Sequence, residues 1–352
     1  MGMRVAVIGA GIIGSSIAWR LAQRGCRVTL LDKGSMGGEA SWAGAGMLAP
    51  GGEVAARSEW AEMAMASAAA YPEYVHELTA ESGHDIDYQT GGAVEIAAGR
   101  DENDGLERRV AFPGGLGIES RVITAEELSR LLPDAVVPSQ GCARYFPGDS
   151  VVDPRDVMRA LGKACEARGV VIREAAPVDR VEWQGGQAVM TTAGGATMQA
   201  DAAVLAAGAW NSCVRVAFPS PDTFPVRGHL LGYRLKPGLL RSILRRGHTY
   251  LLQRASGVLI AGASSEAVGF DRTIDPASVE ALRINAERLF PPLSGLPAEA
   301  WIGFRPATRS YLPEIRPLED TAIWIACGHY RNGILLAPET ARRVADGITG
   351  AT

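Results

Sequence analysis

The first fifty residues contain the pattern that most limits what this chain can fold into. An apolar stretch at residues 5–8 leads into Gly-Ala-Gly-Ile-Ile-Gly at residues 9–14, which has the spacing GxGxxG. Gly9 permits a tight turn, Gly11 lets the backbone approach a pyrophosphate, and Gly14 lets the next helix lie close to the strand. The pattern predicts a strand, a glycine turn and a helix whose positive N-terminus faces a bound diphosphate.

An acidic residue follows at the distance that a dinucleotide site requires. The predicted helix covers residues 12–24, the next apolar strand covers 28–31, and Asp32 comes 18 residues after Gly14 (32 − 14 = 18). A carboxylate about 20 residues beyond the turn hydrogen-bonds a ribose hydroxyl and repels a 2′-phosphate. The sequence therefore predicts a dinucleotide and disfavours NADP. The motif alone does not separate FAD from NAD, and a purely steric glycine turn is the alternative.

Composition and charge exclude several classes of protein. The 352 residues are 47% hydrophobic and 21% charged, enough for one bilobed fold or two domains with substantial cores. A net charge of −4, without basic runs interleaved with aromatic residues, argues against nucleic acid as a partner. No 18-residue apolar run or leader pattern indicates a membrane span or secretion. The five cysteines lack CxxC spacing, so we expect no disulfide framework, no metal site and a cytoplasmic location.

The order of the remaining segments predicts an interleaved α/β fold. Helices are expected at 58–71, with Pro72 either kinking the helix or opening a second stretch to 81, and at 125–128, 154–168, 276–289 and 334–348. Thr124 and Glu127 are spaced as a capping box. Short strands separated by glycines between 225 and 263 indicate an antiparallel sheet. We predict a Rossmann-like dinucleotide-binding domain at 1–85, 145–224 and 306–352, interleaved with an antiparallel-sheet substrate domain at 86–144 and 225–305.

Five blocks carry a resemblance to a known family. They are residues 9–14, Met-Gly-Gly-Glu-Ala-Ser at 36–41, Ala-Gly-Met-Leu at 45–48, Gly-Phe-Arg-Pro at 303–306, and the run 328–338 that begins Gly-His-Tyr-Arg-Asn-Gly. In this order they resemble the glycine oxidases, flavoenzymes of the D-amino-acid oxidase family that are associated with making the thiazole part of thiamine. The resemblance spans the whole chain and implies that the dinucleotide is FAD.

The resemblance also implies which residues contact FAD. The start of the last helix would place its positive end near flavin N1 and the C2 carbonyl. Besides the motif glycines Gly9, Gly11 and Gly14, the expected FAD-binding residues are Ile12, Ile13, Asp32, Lys33, Ala40, Ser41, Ala45, Gly46, Met47, Val178, His329, Tyr330, Arg331, Asn332, Gly333, Ile334 and Leu335.

Four residues resemble the family's substrate-binding positions. Arg305 and Arg331 would clamp an amino-acid carboxylate, because a guanidinium fork donates two parallel charge-assisted hydrogen bonds. His248 and Tyr250 would border the substrate cavity, and two residues apart on a predicted strand they point to the same side. A salt bridge for each arginine, and core packing for the histidine and the tyrosine, are the structural alternatives.

The implied reaction is the oxidative deamination of glycine or another small amino acid by hydride transfer to the flavin. The protein would contribute alignment and a carboxylate anchor, and no catalytic base is required. Oxygen would reoxidise the flavin and give hydrogen peroxide. The imine could supply thiazole formation, which makes a thiazole synthase a candidate partner. The sequence leaves the oligomeric state open, a homo-oligomer included.

Departures from the family pattern leave alternatives open. Ser310, Tyr311 and Arg316 follow the Gly-Phe-Arg-Pro block, where relatives carry an acid, a small residue and a closing glycine, and residues 262–266 lack a methionine. Glycine, sarcosine and small D-amino acids are therefore not ranked. The other hypotheses are a quinone-linked dehydrogenase, a sarcosine oxidase with its flavin bound covalently to Cys327, and a flavin-binding protein without turnover whose cavity Tyr311 fills.

Overall fold

The computed structural model describes residues 2–54, 56–111, 118–136 and 141–350. In these ranges the helices are α1 (Ile12–Gln23), α2 (Ala40–Ala43), α3 (Pro50–Glu53), α4 (Glu59–Ser82), α5 (Arg100–Ala111), α6 (Ala125–Leu131), α7 (Pro154–Ala167), α8 (Pro276–Leu289) and α9 (Gly333–Thr349). The strands are β1 (Arg4–Ile8), β2 (Arg27–Leu31), β3 (Met47–Leu48), β4 (Tyr88–Gln89), β5 (Ala93–Ala97), β6 (Arg121–Ile123), β7 (Cys142–Phe146), β8 (Ser150–Val152), β9 (Val171–Arg173), β10 (Val178–Gln184), β11 (Gln187–Thr192), β12 (Thr197–Ala200), β13 (Ala202–Leu205), β14 (Arg215–Val216), β15 (Thr223–Arg234), β16 (Ile243–Arg246), β17 (Thr249–Gln253), β18 (Val258–Gly262), β19 (Ala298–Thr308), β20 (Glu314–Pro317) and β21 (Ile323–Cys327).

One of the two large sheets has six strands, in the order β20-β21-β13-β1-β2-β9. All neighbours pair in parallel except the edge strand β20, which is antiparallel to β21. Val5 pairs with Val28 on one side and Ala202 on the other. Apart from Arg4, β1 and β13 consist of apolar residues, because helices cover one face of the sheet and strands β10–β12 cover the other. The predicted strand, glycine turn, helix and second strand at the N-terminus are confirmed.

Helix α4 decides between the two possibilities that the sequence left open at Pro72. It is one α-helix with Pro72 inside it, capped by the Ser58 hydroxyl at its start and by Gly83 with φ of +61° at its end. Tyr71 and Tyr74 are fully buried on either side of the proline. Their burial in the core offsets the loss of the hydrogen bond that proline cannot make.

The other large sheet has eight strands, in the order β19-β15-β18-β17-β16-β5-β7-β6. Its longest ladder pairs Thr223–Tyr233 with the antiparallel strand β19, and only β16 and β5 pair in parallel. Helix α8 packs against this sheet and coincides with the helix predicted at 276–289. The α/β fold with an antiparallel sheet is therefore confirmed.

Smaller elements complete the fold. The strands of the four-stranded sheet run in the order β12-β11-β10-β14, and those of the three-stranded sheet in the order β3-β8-β4. Thr124 and Glu127 form the predicted capping box at the start of α6. Strands β7 and β19 cross the predicted domain boundaries at 144/145 and 305/306, and the boundaries themselves stay predictions. No helix in the described ranges combines the length and apolar character that crossing a membrane needs.

Candidate active site

A cavity of about 860 Å³ lies between the glycine turn of the six-stranded sheet and one face of the eight-stranded sheet. Cofactor and ligand sites commonly measure roughly 300–1,000 Å³. Most of the predicted site residues line this cavity: Gly9, Gly11, Ile12, Ile13, Asp32, Lys33, Ala40, Ser41, Ala45, Gly46, Met47, His248, Tyr250, Arg305, His329, Tyr330, Arg331, Asn332, Gly333 and Ile334.

Three of the predicted FAD-binding residues lie outside the lining of this cavity. Gly14 packs against the turn, where a Cβ would lie 1.9 Å from the Gly9 carbonyl oxygen, so its role is the predicted close packing. Leu335 is 1% exposed in the core, because it belongs to the buried face of α9. Val178 lines an adjoining cavity of about 140 Å³ that shares Gly9 and Lys33 with the large one.

The glycine turn at Gly9 and Gly11 forms a concave surface, the cradle, that side chains at these positions would fill. Gly9 has φ of +104°, and a Cβ there would lie 2.3 Å from the Ala206 carbonyl oxygen. At Gly11 the nearest atom to an added Cβ is the Ser41 hydroxyl at 3.3 Å, so the wall is open on the cavity side. The same hydroxyl accepts a hydrogen bond from Ile12 N at 2.9 Å. The turn therefore fits a diphosphate next to the positive end of α1.

Asp32 is held at the end of β2 by backbone groups. One carboxylate oxygen accepts a hydrogen bond from Ala10 N at 2.7 Å, and the other accepts one from Gly34 N at 2.8 Å. A carboxylate has about four acceptor positions, so it can still accept hydrogen bonds from ribose hydroxyls. This geometry agrees with the predicted role.

A second helix N-terminus faces the cavity. Asn332, Gly333 and Ile334 line it at the start of α9, and no acidic residue lies in the first turn of that helix. Before the helix, Tyr330 has φ of +48°, and its N–H donates to the Pro306 carbonyl at 2.8 Å. This hydrogen bond joins the two segments that carry the predicted arginines. The helix dipole would favour negative charge on a group bound here.

Two glycines on the sheet face make room for the predicted substrate-binding side chains. A Cβ on Gly228 would lie 2.4 Å from the Arg305 guanidinium, and a Cβ on Gly262 would lie 2.2 Å from the Tyr250 ring. Arg305 and Tyr250 therefore lie flat against the sheet. The sequence interpretation missed both glycines, although isolated glycines inside strands indicate such a close approach.

The two predicted arginines have different surroundings. Arg305 donates from Nη1 to the Ser264 carbonyl at 3.0 Å, and within the described ranges no carboxylate lies close enough to form an ion pair with it. Arg331 is half exposed, its Nε donates to a Glu53 carboxylate oxygen at 2.8 Å, and its Nη2 lies 2.8 Å from the same oxygen in an ion pair. The salt-bridge alternative therefore applies to Arg331, whereas Arg305 keeps unpaired N–H groups that suit a carboxylate.

Tyr250 and His248 both line the cavity, but His248 lies in the turn before β17 and not on the predicted strand, so strand alternation does not account for its position. His248 is exposed just before β17, whereas Tyr250 lies within this strand. Burial raises the pKa of Tyr250, and the positive charges of Arg305 and Arg331 offset only part of that effect. The phenol is therefore neutral at physiological pH and can donate a hydrogen bond.

Two further cavity residues carry no charge. Burial lowers the pKa of His329 to about 3, and its Nε2 lies 3.1 Å from the Thr340 hydroxyl. Burial raises the pKa of the Cys327 thiol to about 12. A neutral, buried thiol does not suit nucleophilic attack on a flavin, so the geometry gives no support to the covalent alternative.

Tyr311 does not fill the cavity. It is 50% exposed, and its ring packs edge-on against Tyr330 and Phe224, with centroids 5.0 and 6.0 Å apart. The hypothesis of a flavin-binding protein without turnover depended on this residue occupying the substrate space. The structure therefore removes the observation that favoured it.

Comparisons with known proteins agree with this geometry. Residues 4–347 match the family model described as FAD dependent oxidoreductase. A glycine oxidase of Geobacillus kaustophilus is 33% identical over 347 residues, 97% of this chain and 92% of that protein. A bifunctional protein ThiO/ThiG of Trichormus variabilis is 33% identical over 98% of this chain, which spans 52% of that longer protein. The crystal structure of the Geobacillus glycine oxidase matches with a TM-score of 0.94 and 32% identity, covering 99% of this chain and 96% of that one.

Proposed function

The chain belongs to the FAD dependent oxidoreductase family, and we propose that it is a glycine oxidase-like enzyme that deaminates glycine or another small amino acid. Similarity over nearly the whole chain to a glycine oxidase supports this proposal. The observation that carries it is Arg305, which has no carboxylate partner among the described residues and lies in the same cavity as the glycine turn and the start of α9.

The cavity walls fit FAD. The Gly9 and Gly11 cradle and the N-terminus of α1 would hold the diphosphate, and Asp32 would bind the ribose. Gly333 and Ile334 at the start of α9 would lie near the flavin ring. When bound there, FAD would supply a two-electron acceptor for the hydride of the substrate Cα, with oxygen as the final oxidant and hydrogen peroxide as the product.

The chain's own residues would bind and orient the substrate. Arg305 would hold the carboxylate through charge-assisted hydrogen bonds, and the neutral Tyr250 phenol would donate a further one. Arg331 would contribute positive charge that Glu53 partly neutralises. Burial lowers the pKa of His329 to about 3, so it would be too weak a base to remove the proton from the substrate ammonium. Alignment and electrostatics, rather than a catalytic base, would be the protein's contribution.

We further propose that a thiazole synthase consumes the imine product. The similar bifunctional protein ThiO/ThiG carries about as much chain again beyond the matched part, which suits a second activity that receives a short-lived product. A cytoplasmic location agrees with five cysteines that are all free. The proposed function is compatible with a homo-oligomer. A measurement of the protein's mass in solution gives the oligomeric state.

Oxygen consumption with a substrate panel tests the proposed function. Glycine, sarcosine, D-alanine and L-alanine are added to the purified flavoprotein, and oxygen uptake and peroxide are measured together. We expect one peroxide per oxygen consumed with glycine or another achiral or D-configured substrate, and no uptake with L-alanine. Oxygen uptake that stays at background while an artificial quinone is reduced would instead indicate a dehydrogenase.

A further inference from the structure

The orientation of Arg305 depends on a backbone carbonyl group. The Nη1 of Arg305 donates to the Ser264 carbonyl at 3.0 Å, and this is the one hydrogen bond of its guanidinium within the described residues. An arginine side chain has four flexible torsions, so a free guanidinium would lose much conformational freedom on binding a carboxylate. Whatever fixes the Ser264 carbonyl therefore influences substrate binding.

The side chain of Ser264 helps to fix that carbonyl, in addition to the backbone hydrogen bonds that Arg227 and Glu266 exchange at 2.9 Å in both directions. The hydroxyl accepts a hydrogen bond from His229 N at 2.9 Å and donates one to a Glu266 carboxylate oxygen at 2.7 Å. The His229 ring nitrogen Nδ1 lies 2.9 Å from the same hydroxyl and 2.9 Å from the same carboxylate oxygen. The hydroxyl is held from three directions.

The histidine has one tautomer in this arrangement. Its Nε2 accepts a hydrogen bond from Asp275 N at 3.0 Å, so Nε2 carries no proton. The proton of a neutral ring is therefore on Nδ1, where it points at Glu266 and Ser264. His229 is fully buried and donates into the network without adding a positive charge.

Glu266 is anchored behind the sheet. Along β15, residues alternate between the two faces, so Gly228 lies under Arg305 while Arg227 and His229 point away from the cavity. Arg227 is 4% exposed and donates from Nε and Nη2 to the second Glu266 oxygen at 3.0 and 2.5 Å. Burial alone would raise the pKa of Glu266, but hydrogen bonds from Ser264, Arg227 and Ser278 outweigh it and lower the pKa to about 2.

We propose that Ser264, held by Glu266 and His229, is a positioning residue that sets the orientation of Arg305 for the substrate carboxylate. This inference rests on the proposed function, because it assigns the carboxylate to Arg305. It adds Ser264, Glu266 and His229, which sequence motifs did not indicate. Glu266 and His229 lie on the opposite side of the sheet from the cavity. Their effect passes through one peptide group.

Substitution of Ser264 tests the proposal. Ser264→Ala removes the hydroxyl, so the carbonyl loses its side-chain anchor, keeps only the backbone bridge between Arg227 and Glu266, and the guanidinium gains freedom. We expect the KM for glycine to rise about tenfold with kcat changed by less than about twofold. The Kd of glycolate, a carboxylate without an amine, is measured from the change it causes in the flavin spectrum and should rise by the same factor. Ser264→Thr keeps a hydroxyl and should restore both values.

A matched control separates positioning from general stability. Ser242 is buried just before β16, where its hydroxyl donates to the Gly91 carbonyl at 2.7 Å. Unlike the half-buried Ser264, it does not line the cavity. Ser242→Ala removes one buried hydrogen bond and should lower Tm about as much as Ser264→Ala while leaving the glycolate Kd unchanged. An equal rise of the glycolate Kd in both variants would overturn the proposal.

The glycolate measurement also separates this inference from the proposed function. If glycolate binding depends on Arg305 but glycine fails to reduce the wild-type flavin, the function is wrong while the Ser264 variants still test the positioning. If Arg305→Ala weakens glycolate binding and Ser264→Ala leaves the Kd within about twofold of wild type, the positioning inference is wrong and the function stands. An Arg305→Ala variant that binds glycolate as wild type does would also overturn the inference.

Discussion

The two walls of the cavity are built in different ways. The wall on the six-stranded sheet presents backbone: the turn at Gly9 and Gly11 and the N-terminus of α1, all within a short stretch of chain. The wall on the eight-stranded sheet presents side chains, Arg305 and Tyr250, which come from strands far apart in the sequence. Each of these side chains lies over a glycine of a neighbouring strand.

This difference predicts opposite sensitivities to mutation. At the glycine turn of the wall on the six-stranded sheet, here called the cofactor wall, the essential feature is the absence of side-chain atoms, so adding a methyl group there disrupts the site. On the wall of the eight-stranded sheet, here called the substrate wall, the essential features are charged and hydroxyl groups. Removing them weakens substrate binding while the fold persists. The predictions below test this contrast.

The largest effect is expected at Gly14. In Gly14→Ala the new Cβ would lie 1.9 Å from the Gly9 carbonyl oxygen, which forces α1 away from the turn. We expect the variant to retain less than about a tenth of the wild-type FAD and to lose about 3 kcal/mol of unfolding free energy. The flavin-to-protein absorbance ratio and thermal denaturation measure both.

Gly162→Ala is the matched control for that substitution. Gly162 lies in α7, and the nearest atom to an added Cβ is Met36 Sδ at 3.6 Å, an ordinary contact. Because alanine favours helix more than glycine does, stability should hold or rise by up to about 1 kcal/mol, with full FAD content. Equal FAD loss in both variants would contradict the account of the cofactor wall.

On the substrate wall, the two arginines should differ. Arg305→Ala removes a charge-assisted anchor of about 3 kcal/mol, so the KM for glycine should rise roughly 100-fold with FAD content unchanged. Arg331→Ala should raise KM less than about tenfold, because Glu53 already pairs with that half-exposed guanidinium. Steady-state kinetics distinguish them, and equal effects would mean that Glu53 releases Arg331 to the substrate.

A smaller effect is expected at Glu81, away from both walls. Hydrogen bonds, the strongest from Arg168, lower the pKa of Glu81 to about 2 from the ordinary 4.5, although burial opposes them. The folded pKa is the lower one, so the stabilisation is complete above pH 4.5 and is lost as the pH falls towards 2. Glu81→Gln should cost about 1–2 kcal/mol at pH 7 and little near pH 2, with KM unchanged.

Denaturant unfolding of wild type and Glu81→Gln at several pH values measures this difference. A deficit that persists undiminished at low pH would show that the carboxylate charge is not its source. A change in the KM for glycine would show that the helices behind the cofactor wall influence the substrate wall.

The smallest effect is expected at Cys327. Its thiol is buried and neutral, so Cys327→Ala should leave FAD content unchanged. Acid precipitation should release the yellow colour into solution from wild type and variant alike. Colour that stays in the wild-type precipitate but not in that of the variant would establish a covalent flavin.

The cofactor wall could be predicted from sequence because its geometry is local. Gly9, Gly14 and Asp32 have fixed spacings within one strand, turn, helix and second strand. The pattern therefore predicts the turn, the close packing of the helix and the position of the carboxylate. Val178 and Leu335 were placed in the main site by resemblance, and their side chains lie in the adjoining cavity and in the core.

The substrate wall could not be derived this way because its contacts are distant in sequence. The need for glycine at 228 arises from Arg305 on the neighbouring strand. The pairing of Glu53 with Arg331 joins residues 278 positions apart. Resemblance indicated the arginine pair, but only the packing shows that Arg331 pairs with Glu53 while Arg305 has no carboxylate partner among the residues that the structure describes.

Anaerobic titration of the purified protein with glycine tests the central claim most directly, because it requires FAD on one wall and a bound amino acid on the other. The account predicts a yellow protein whose visible flavin absorbance bleaches to completion with glycine, and far less readily in Arg305→Ala. A colourless protein that takes up no FAD, or a flavin that glycine and the other small amino acids of the panel leave oxidised, would contradict it.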